Sequence, residues 1–196
     1  QTANMIPNLL FELVAGGVLQ AVLVPSFVAA RRDGGNEALS DATQATAGVI
    51  VAGLALAAAV GMAISPLVAR GLGLSEPSLA VAREKLDVMV PMVLVFVPQL
   101  VSYGIATVTS AALNAKGRYV AAAVAPAVNN VIVIVACLVF RAMRGDEVAD
   151  LDLTVGQFAV IAGGTTIGVL AFSLTPALAL NAAGVRWLPR WRPHHP

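Results

Sequence analysis

Long apolar stretches without charged residues, separated by short polar segments, dominate the pattern along this chain of 196 residues. A helix needs roughly 20 apolar residues to cross a bilayer core of ~30 Å. Five stretches reach that length, more than the core of a soluble protein of this size could bury. The pattern therefore predicts an all-α, polytopic bundle of about five transmembrane helices. The predicted spans are residues 4–30, 42–69, 88–115, 119–140 and 155–183.

Composition agrees with a membrane protein and excludes several other classes. Only 12% of the residues are charged and 58% are hydrophobic, whereas about 25% of the residues in a typical soluble domain are charged. The net charge of +1 provides no basic field for binding nucleic acid. The single Cys137 excludes a disulfide within the chain, and neither a metal site nor a cofactor is predicted.

The polar connectors predict how the spans are arranged across the membrane. Gly34 and Gly35 are a turn signal within residues 31–41, and the tight connector at residues 114–118 predicts an antiparallel pair of spans. These connectors and the tail, residues 186–196, carry seven Lys and Arg residues, against five on the opposite side. Since basic residues are in excess in cytoplasmic loops, this side is predicted to be cytoplasmic and the tail to be a basic cytoplasmic linker.

The first span carries the most polar side chains of the predicted helices. Asn8, Glu12 and Gln20 lie in it, together with the pair Gly16 and Gly17. A carboxylate or an amide in an apolar helix is costly when it faces lipid, but it suits a neighbouring helix or a hydrated cavity. A position of Glu12 at the membrane interface is the alternative, because this residue lies close to the start of the span.

Prolines and polar residues also interrupt the later spans. They are tolerated where protein or water satisfies the freed backbone groups, although proline kinks, amide pairs and Gly-xxx-Gly spacing also serve helix packing alone. The residues predicted to line a hydrated cavity are Asn8, Glu12, Gln20, Gln99, Tyr103, Asn129 and Asn130. The residues predicted to allow close packing or bending of helices are Gly16, Gly17, Pro98, Pro126, Gly164 and Gly168.

The sequence lacks the common catalytic signatures. The motifs GxSxG and HExxH and the phosphate-binding loop are absent, and the only histidines, His194 and His195, lie in the tail. Serine and threonine side chains in the spans therefore have no histidine beside them to activate them. The polar content suits the solvation of a polar group that docks or passes, so the chain is predicted not to be an enzyme.

Three segments carry a resemblance to a known family. The segment from Pro7 to Phe27, PNLLFELVAGGVLQAVLVPSF, resembles the second-helix signature of the MviN/MurJ family of proposed lipid II flippases. The segment from Ala112 to Ile134 resembles a second family region, in which a Leu-Asn helix end is followed by a basic turn, an aromatic residue, Ala-Pro and Asn. Residues 184–196 resemble the linker that ends the N-terminal lobe in actinobacterial-like members.

The resemblance implies membership of the MOP exporter superfamily, whose members have two pseudo-symmetric helical lobes around a central cavity. It implies movement of lipid II, the undecaprenyl-linked peptidoglycan precursor, across the bacterial cytoplasmic membrane by alternating access. Residues 1–185 would then hold helices two to six of the N-terminal lobe. The implied partners are the lipid-linked precursor, membrane lipid, and the first helix and second lobe of the same protein, without which alternating access is not expected.

One departure from the family pattern leaves other interpretations open. Many members have basic residues directly after the PNLL motif, where this chain has Phe11 and Glu12. Charge contacts to a substrate pyrophosphate would have to come from elsewhere in the protein, and Glu12 becomes a candidate for ion coupling. A MOP-type exporter of another cargo and a non-transporting membrane scaffold in cell-wall assembly are the alternatives.

Overall fold

The computed structural model describes residues 19–73, 99–145 and 153–190. Helices are the only regular secondary structure in these three ranges, which confirms the all-α prediction. The helices, in chain order, are α1 (Gln20–Gly73), α2 (Gln99–Ala115), α3 (Val120–Arg144) and α4 (Val155–Ala182). By length and composition, three helical segments of this part of the chain can cross a membrane, namely Gln20–Val60, Val120–Arg144 and Val155–Ala182.

Helix α1 is broken at two consecutive glycines. Gly34 has φ −146° and ψ 21°, and Gly35 has φ 64° and ψ −145°, a conformation that only glycine adopts readily. The turn predicted at Gly34 and Gly35 is therefore confirmed, whereas the rest of the predicted connector, residues 31–41, is helical. The physical reason is that a helix satisfies its own backbone hydrogen bonds, so polar side chains in water can continue it.

Helix α2 is the central element of the bundle. It packs against both α1 and α4, whereas α3 packs mainly against α4. The tight connector therefore does not make α2 and α3 a closely packed pair. Small residues allow the approach of α1, since a Cβ at Gly104 of α2 would overlap the side chain of Leu54. Close backbone approach at small residues is the usual way in which membrane helices associate.

The buried core lies where α1, α2 and the end of α4 meet. Phe27 and Leu39 of α1, Leu113 of α2, Leu180 of α4 and Val185 just beyond α4 are each at most 1% exposed. Leu39 and Phe27 lie on opposite sides of the glycine break, so both parts of α1 contribute to one core. This shared core places the break beside the turn after α2 and beside the segment that follows α4.

The outer faces of α3 and α4 are apolar and exposed. Side chains on these faces include Val131, Ile134, Leu138, Leu170, Leu174 and Leu178. Such apolar side chains are typical of a helix surface that contacts lipid or another apolar helix.

Helix α4 begins at a capping box. The Oγ1 atom of Thr154 accepts a hydrogen bond from the N–H of Gln157 (3.2 Å), and Oε1 of Gln157 accepts one from the N–H of Thr154 (3.0 Å). The reciprocal bonds satisfy two backbone donors that a helix start leaves without partners. The cap therefore sets the register in which α4 presents its polar side chains and glycines to its neighbours.

Candidate functional site

The polar side chains predicted to line a cavity are spread over several helix interfaces of the described structure. Gln20 lies between α1 and α2, Gln99 and Tyr103 lie between α2 and α4, and Asn129 lies between α3 and α4. Predicted site residues that fall outside the described ranges are Asn8, Glu12, Gly16, Gly17 and Pro98.

Gln20 connects the first part of α1 to α2. Its Nε2 atom donates to the backbone carbonyl of Thr107 (3.3 Å), and its Oε1 atom accepts a long hydrogen bond from Nδ2 of Asn114 (3.5 Å). Thr107 is buried and its hydroxyl donates to the carbonyl of Tyr103 one turn earlier (2.9 Å). The amide of Gln20 is therefore directed at the backbone and side chains of α2.

Gln99 and Tyr103 lie one turn apart on α2 and both contact α4. The Nε2 atom of Gln99 donates to Oγ1 of Thr166 (2.9 Å), and Thr166 itself donates to the carbonyl of Ala162 (2.7 Å). The ring of Tyr103 packs edge-on against Phe172, with 5.8 Å between ring centroids. These contacts form a polar and aromatic seam inside the bundle.

Thr166 is a contributor to this seam that the sequence analysis did not single out. The hydroxyl of a threonine in a helix commonly donates to the carbonyl one turn earlier. The sequence position of a threonine therefore does not show that it contacts another helix. Only its position facing Gln99 on another helix distinguishes it from the neighbouring Thr165, which bonds its own helix at Ile161 and Ala162.

Asn129 of α3 lies directly against Gly168 of α4. A Cβ atom at Gly168 would lie 2.5 Å from Oδ1 of Asn129, and a Cβ at Gly164 would overlap that of Ala136. The Nδ2 atom of Asn129 has one long hydrogen bond, to Oδ1 of Asn130 (3.4 Å). Its Oδ1 atom is buried without a protein donor, so it can accept a hydrogen bond from water or from a polar ligand.

Asn130 and Pro126 lie on the exposed side of α3. Asn130 is exposed, one turn beyond the exposed Pro126 inside the helix. Proline has no backbone N–H, so Pro126 cannot donate to the carbonyl of Ala122 one turn earlier and leaves that acceptor without its helical partner. The amide pair thus places one polar group at the interface with α4 and one on the outer face of α3.

A further polar cluster lies at the end of the bundle where the break in α1 meets the turn after α2. Nη1 of Arg31 donates to the carbonyl of Ala115 (3.0 Å). Nζ of Lys116 donates to Oδ1 of Asn36 and to the carbonyl of Ala183, both at 2.7 Å. The two predicted connectors and the segment after α4 therefore lie together at one end.

The charges at this end affect Lys116 directly. Burial lowers the pKa of Lys116 below its usual value of 10.5, and the positive charges of Arg31 and Arg118 lower it further. The cluster thus brings three like charges close together around a partly desolvated ammonium group.

The described residues contain no group of three His, Cys, Asp or Glu side chains that could hold a metal ion. The polar side chains at the helix interfaces away from the basic end are amides, hydroxyls and one phenol. Such groups donate and accept hydrogen bonds, so the arrangement is suited to solvating a polar ligand.

Comparison with known proteins gives a family match over the whole chain and a similar relative over part of it. Residues 1–196 match the sequence model of the family described as lipid II flippase MurJ. A protein of Rhizobium tropici named "Probable lipid II flippase MurJ" is 32% identical over 128 residues, which cover 65% of this chain. The matched part is 24% of that relative, so the similarity covers about a quarter of the relative's length.

Proposed function

Because this chain belongs to the lipid II flippase MurJ family, we propose that it forms part of a flippase that moves lipid-linked peptidoglycan precursor across the cytoplasmic membrane. The family match over residues 1–196 is the observation that carries the proposal. The all-helical fold and the segments long enough to span a membrane fit this role. The prediction that the chain is not an enzyme fits membership of a flippase family.

The cargo explains why polar groups would be kept inside apolar helices. A lipid-linked precursor has a polar headgroup, which needs hydrogen-bonding partners while it crosses the bilayer core. Gln99, Tyr103, Asn129 and Asn130 are the described residues proposed to offer such partners, with Gln20 nearer the basic end. The unpartnered Oδ1 of Asn129 and the exposed amide of Asn130 support this role most directly.

We propose that the end of the bundle at Arg31 and Lys116 faces the cytoplasm. Hydrogen bonds join the break in α1, the turn after α2 and the segment after α4 at this end. These segments carry the larger share of the Lys and Arg residues. Basic residues near the ends of membrane helices are retained on the cytoplasmic side.

The test is complementation in a bacterium depleted of its own lipid II flippase. The full-length gene that encodes this chain should restore growth and the supply of precursor at the outer leaflet. Asn130→Val should reduce that rescue at equal protein level, because it removes an exposed polar group. Cys137→Val is the matched control, since Cys137 is exposed on the same face of α3 two turns further along.

The possible outcomes separate the interpretations. Rescue of growth together with precursor translocation supports the flippase. Translocation of a different lipid-linked sugar without rescue would indicate an exporter of another cargo. Assembly of cell-wall proteins around the full-length protein without any translocation would indicate a scaffold and would contradict the proposal.

A further inference from the structure

The segment that follows α4 folds back along α1. Val185 is buried at 1% exposure, and the N–H of Arg186 donates to Oγ of Ser40 (3.1 Å). The N–H of Arg190 donates to the backbone carbonyl of Gln44 (3.1 Å). Both contacts advance by four residues, one turn of α1, so the segment follows the helix surface.

A glycine in α1 makes the second contact possible. In a helix the carbonyl of Gln44 points toward residue 48, and a carbonyl oxygen has a second lone pair for an outside donor. A Cβ at Gly48 would overlap the carbonyl oxygen of Arg190. The absence of a side chain at this one position therefore lets the segment reach the helix backbone.

The start of the segment is held at the end of α4. Gly184 has φ 76°, and the N–H of Val185 donates to the carbonyl of Leu180 (3.2 Å), which ends the helix and turns the chain. Nζ of Lys116 donates to the carbonyl of Ala183 and to Oδ1 of Asn36. A cation that bonds a carbonyl at a helix C-terminus is favourably placed in the field of the helix.

We propose that residues 183–190 form a strap that fixes the end of α4 to the part of α1 beyond its glycine break, with Lys116 as the pin between them. The strap makes the exit from α4 a rigid attachment. Arg31 ties the part of α1 before the break to the carbonyl of Ala115, so both parts of α1 are held at the same turn.

The consequence for transport rests on the proposed function. A chain segment that continues beyond Arg190 pulls directly on α1 through the strap. Movement of the following part of the protein is then transmitted to α1 beyond Gly35, and the glycine break is the point that bends.

Hydrogen–deuterium exchange of the full-length protein in lipid nanodiscs tests the strap itself, without reference to transport. In the unmodified protein, the backbone amides of Arg186 and Arg190, which bond α1, should exchange at least tenfold more slowly than the same amides in the unfolded peptide. Lys116→Met should accelerate that exchange about tenfold, since it removes both pinning hydrogen bonds. Arg118→Met is the matched control, because it removes one positive charge from the same turn without removing those bonds.

A second pair of variants approaches the strap from α1. Gly48→Ala should accelerate exchange of the Arg186 and Arg190 amides, because its Cβ displaces the Arg190 carbonyl. Gly53→Ala makes the same change in the same helix, where a Cβ meets nothing within 4 Å, and should leave the exchange unchanged. Unprotected amides of Arg186 and Arg190 in the unmodified protein, or unchanged exchange in both Lys116→Met and Gly48→Ala, would overturn the strap. Loss of complementation with normal exchange would instead count against the flippase.

Discussion

The side chain of Lys116 is partly buried, makes two hydrogen bonds and lies near two other positive charges. Its ammonium group bonds two neutral acceptors while Arg31 and Arg118 repel it. The neutral amine keeps two N–H donors, so loss of the proton relieves repulsion without requiring loss of both bonds. The lowered pKa is therefore compatible with a structural role for this side chain.

The first prediction concerns that pKa. Arg118→Gln should raise the pKa of Lys116, because one of the repelling charges is removed. NMR titration of isotopically labelled lysine side chains measures it, and an unchanged or lower value would contradict the electrostatic account.

The lowered pKa of Lys116 also determines whether its contribution to stability rises or falls with pH. The folded pKa lies below the usual value of 10.5, so the unfolded chain binds more protons in the interval between them. The contribution of Lys116 to stability should therefore rise with pH across that interval. The rise should be smaller in Arg118→Gln.

The second prediction concerns the contact of α3 with α4. Gly164→Ala should lower the melting temperature of the full-length protein in detergent, because its Cβ would overlap that of Ala136. Overpacking of this kind costs roughly 1–3 kcal/mol. Gly163→Ala is the control one residue away, where a Cβ meets nothing within 4 Å. Equal melting temperatures for the two variants would show that the helices do not approach each other at Gly164.

At the scale of elements, the break in α1 decides where the helical segment Gln20–Gly73 is divided. Gly34 and Gly35 leave the helical conformation, while Arg31 before them and Asn36 after them bond the same turn. The break divides α1 into two helical parts, and both parts stay attached to the end of α2 and the turn after it.

The third prediction tests the conformation at the break. Gly35→Ala should destabilise the protein by about 1–3 kcal/mol, because φ 64° with ψ −145° is strained for any residue with a side chain. Thermal or denaturant unfolding of the full-length protein measures the loss. Gly53→Ala in the same helix should have no comparable effect, and a stabilising Gly35→Ala would indicate that α1 continues unbroken.

At the scale of the whole molecule, two of the other helices pack against α2, and basic residues are concentrated at one end of the bundle. α1 and α4 both contact α2, and α3 reaches the bundle mainly through α4. The charged segments gather at one end, so one membrane interface carries most of the basic residues of the chain. This asymmetry is the basis of the proposed orientation in the membrane.

The fourth prediction tests that orientation. Arg118 is exposed in the turn at the basic end, so Arg118→Cys in the full-length protein, with its other accessible cysteines replaced, should react with a membrane-impermeant maleimide only from the cytoplasmic side. Labelling of inside-out vesicles but not of intact spheroplasts is the expected result. Labelling of intact spheroplasts would reverse the proposed topology.

The sequence by itself determined the class of the protein and most of its helical segments. Uncharged apolar runs of sufficient length can satisfy their backbone in a bilayer only as helices, so periodicity was not needed to assign them. The predicted span 155–183 overlaps α4 (Val155–Ala182), and the predicted span 119–140 overlaps α3 (Val120–Arg144). The family resemblance likewise rested on contiguous motifs, which a chain carries whether folded or not.

Only the tertiary structure decided which polar groups meet. Lys116 bonds Asn36 and Ala183, which lie 80 and 67 positions away along the chain. Gln99 donates to Thr166 on another helix. Gly48 leaves space for the strap, residues 183–190, although the sequence predicted only a basic tail from residue 186 onward. Such pairings depend on how helices cross and turn relative to one another, and side-chain type and spacing within one helix do not contain that information.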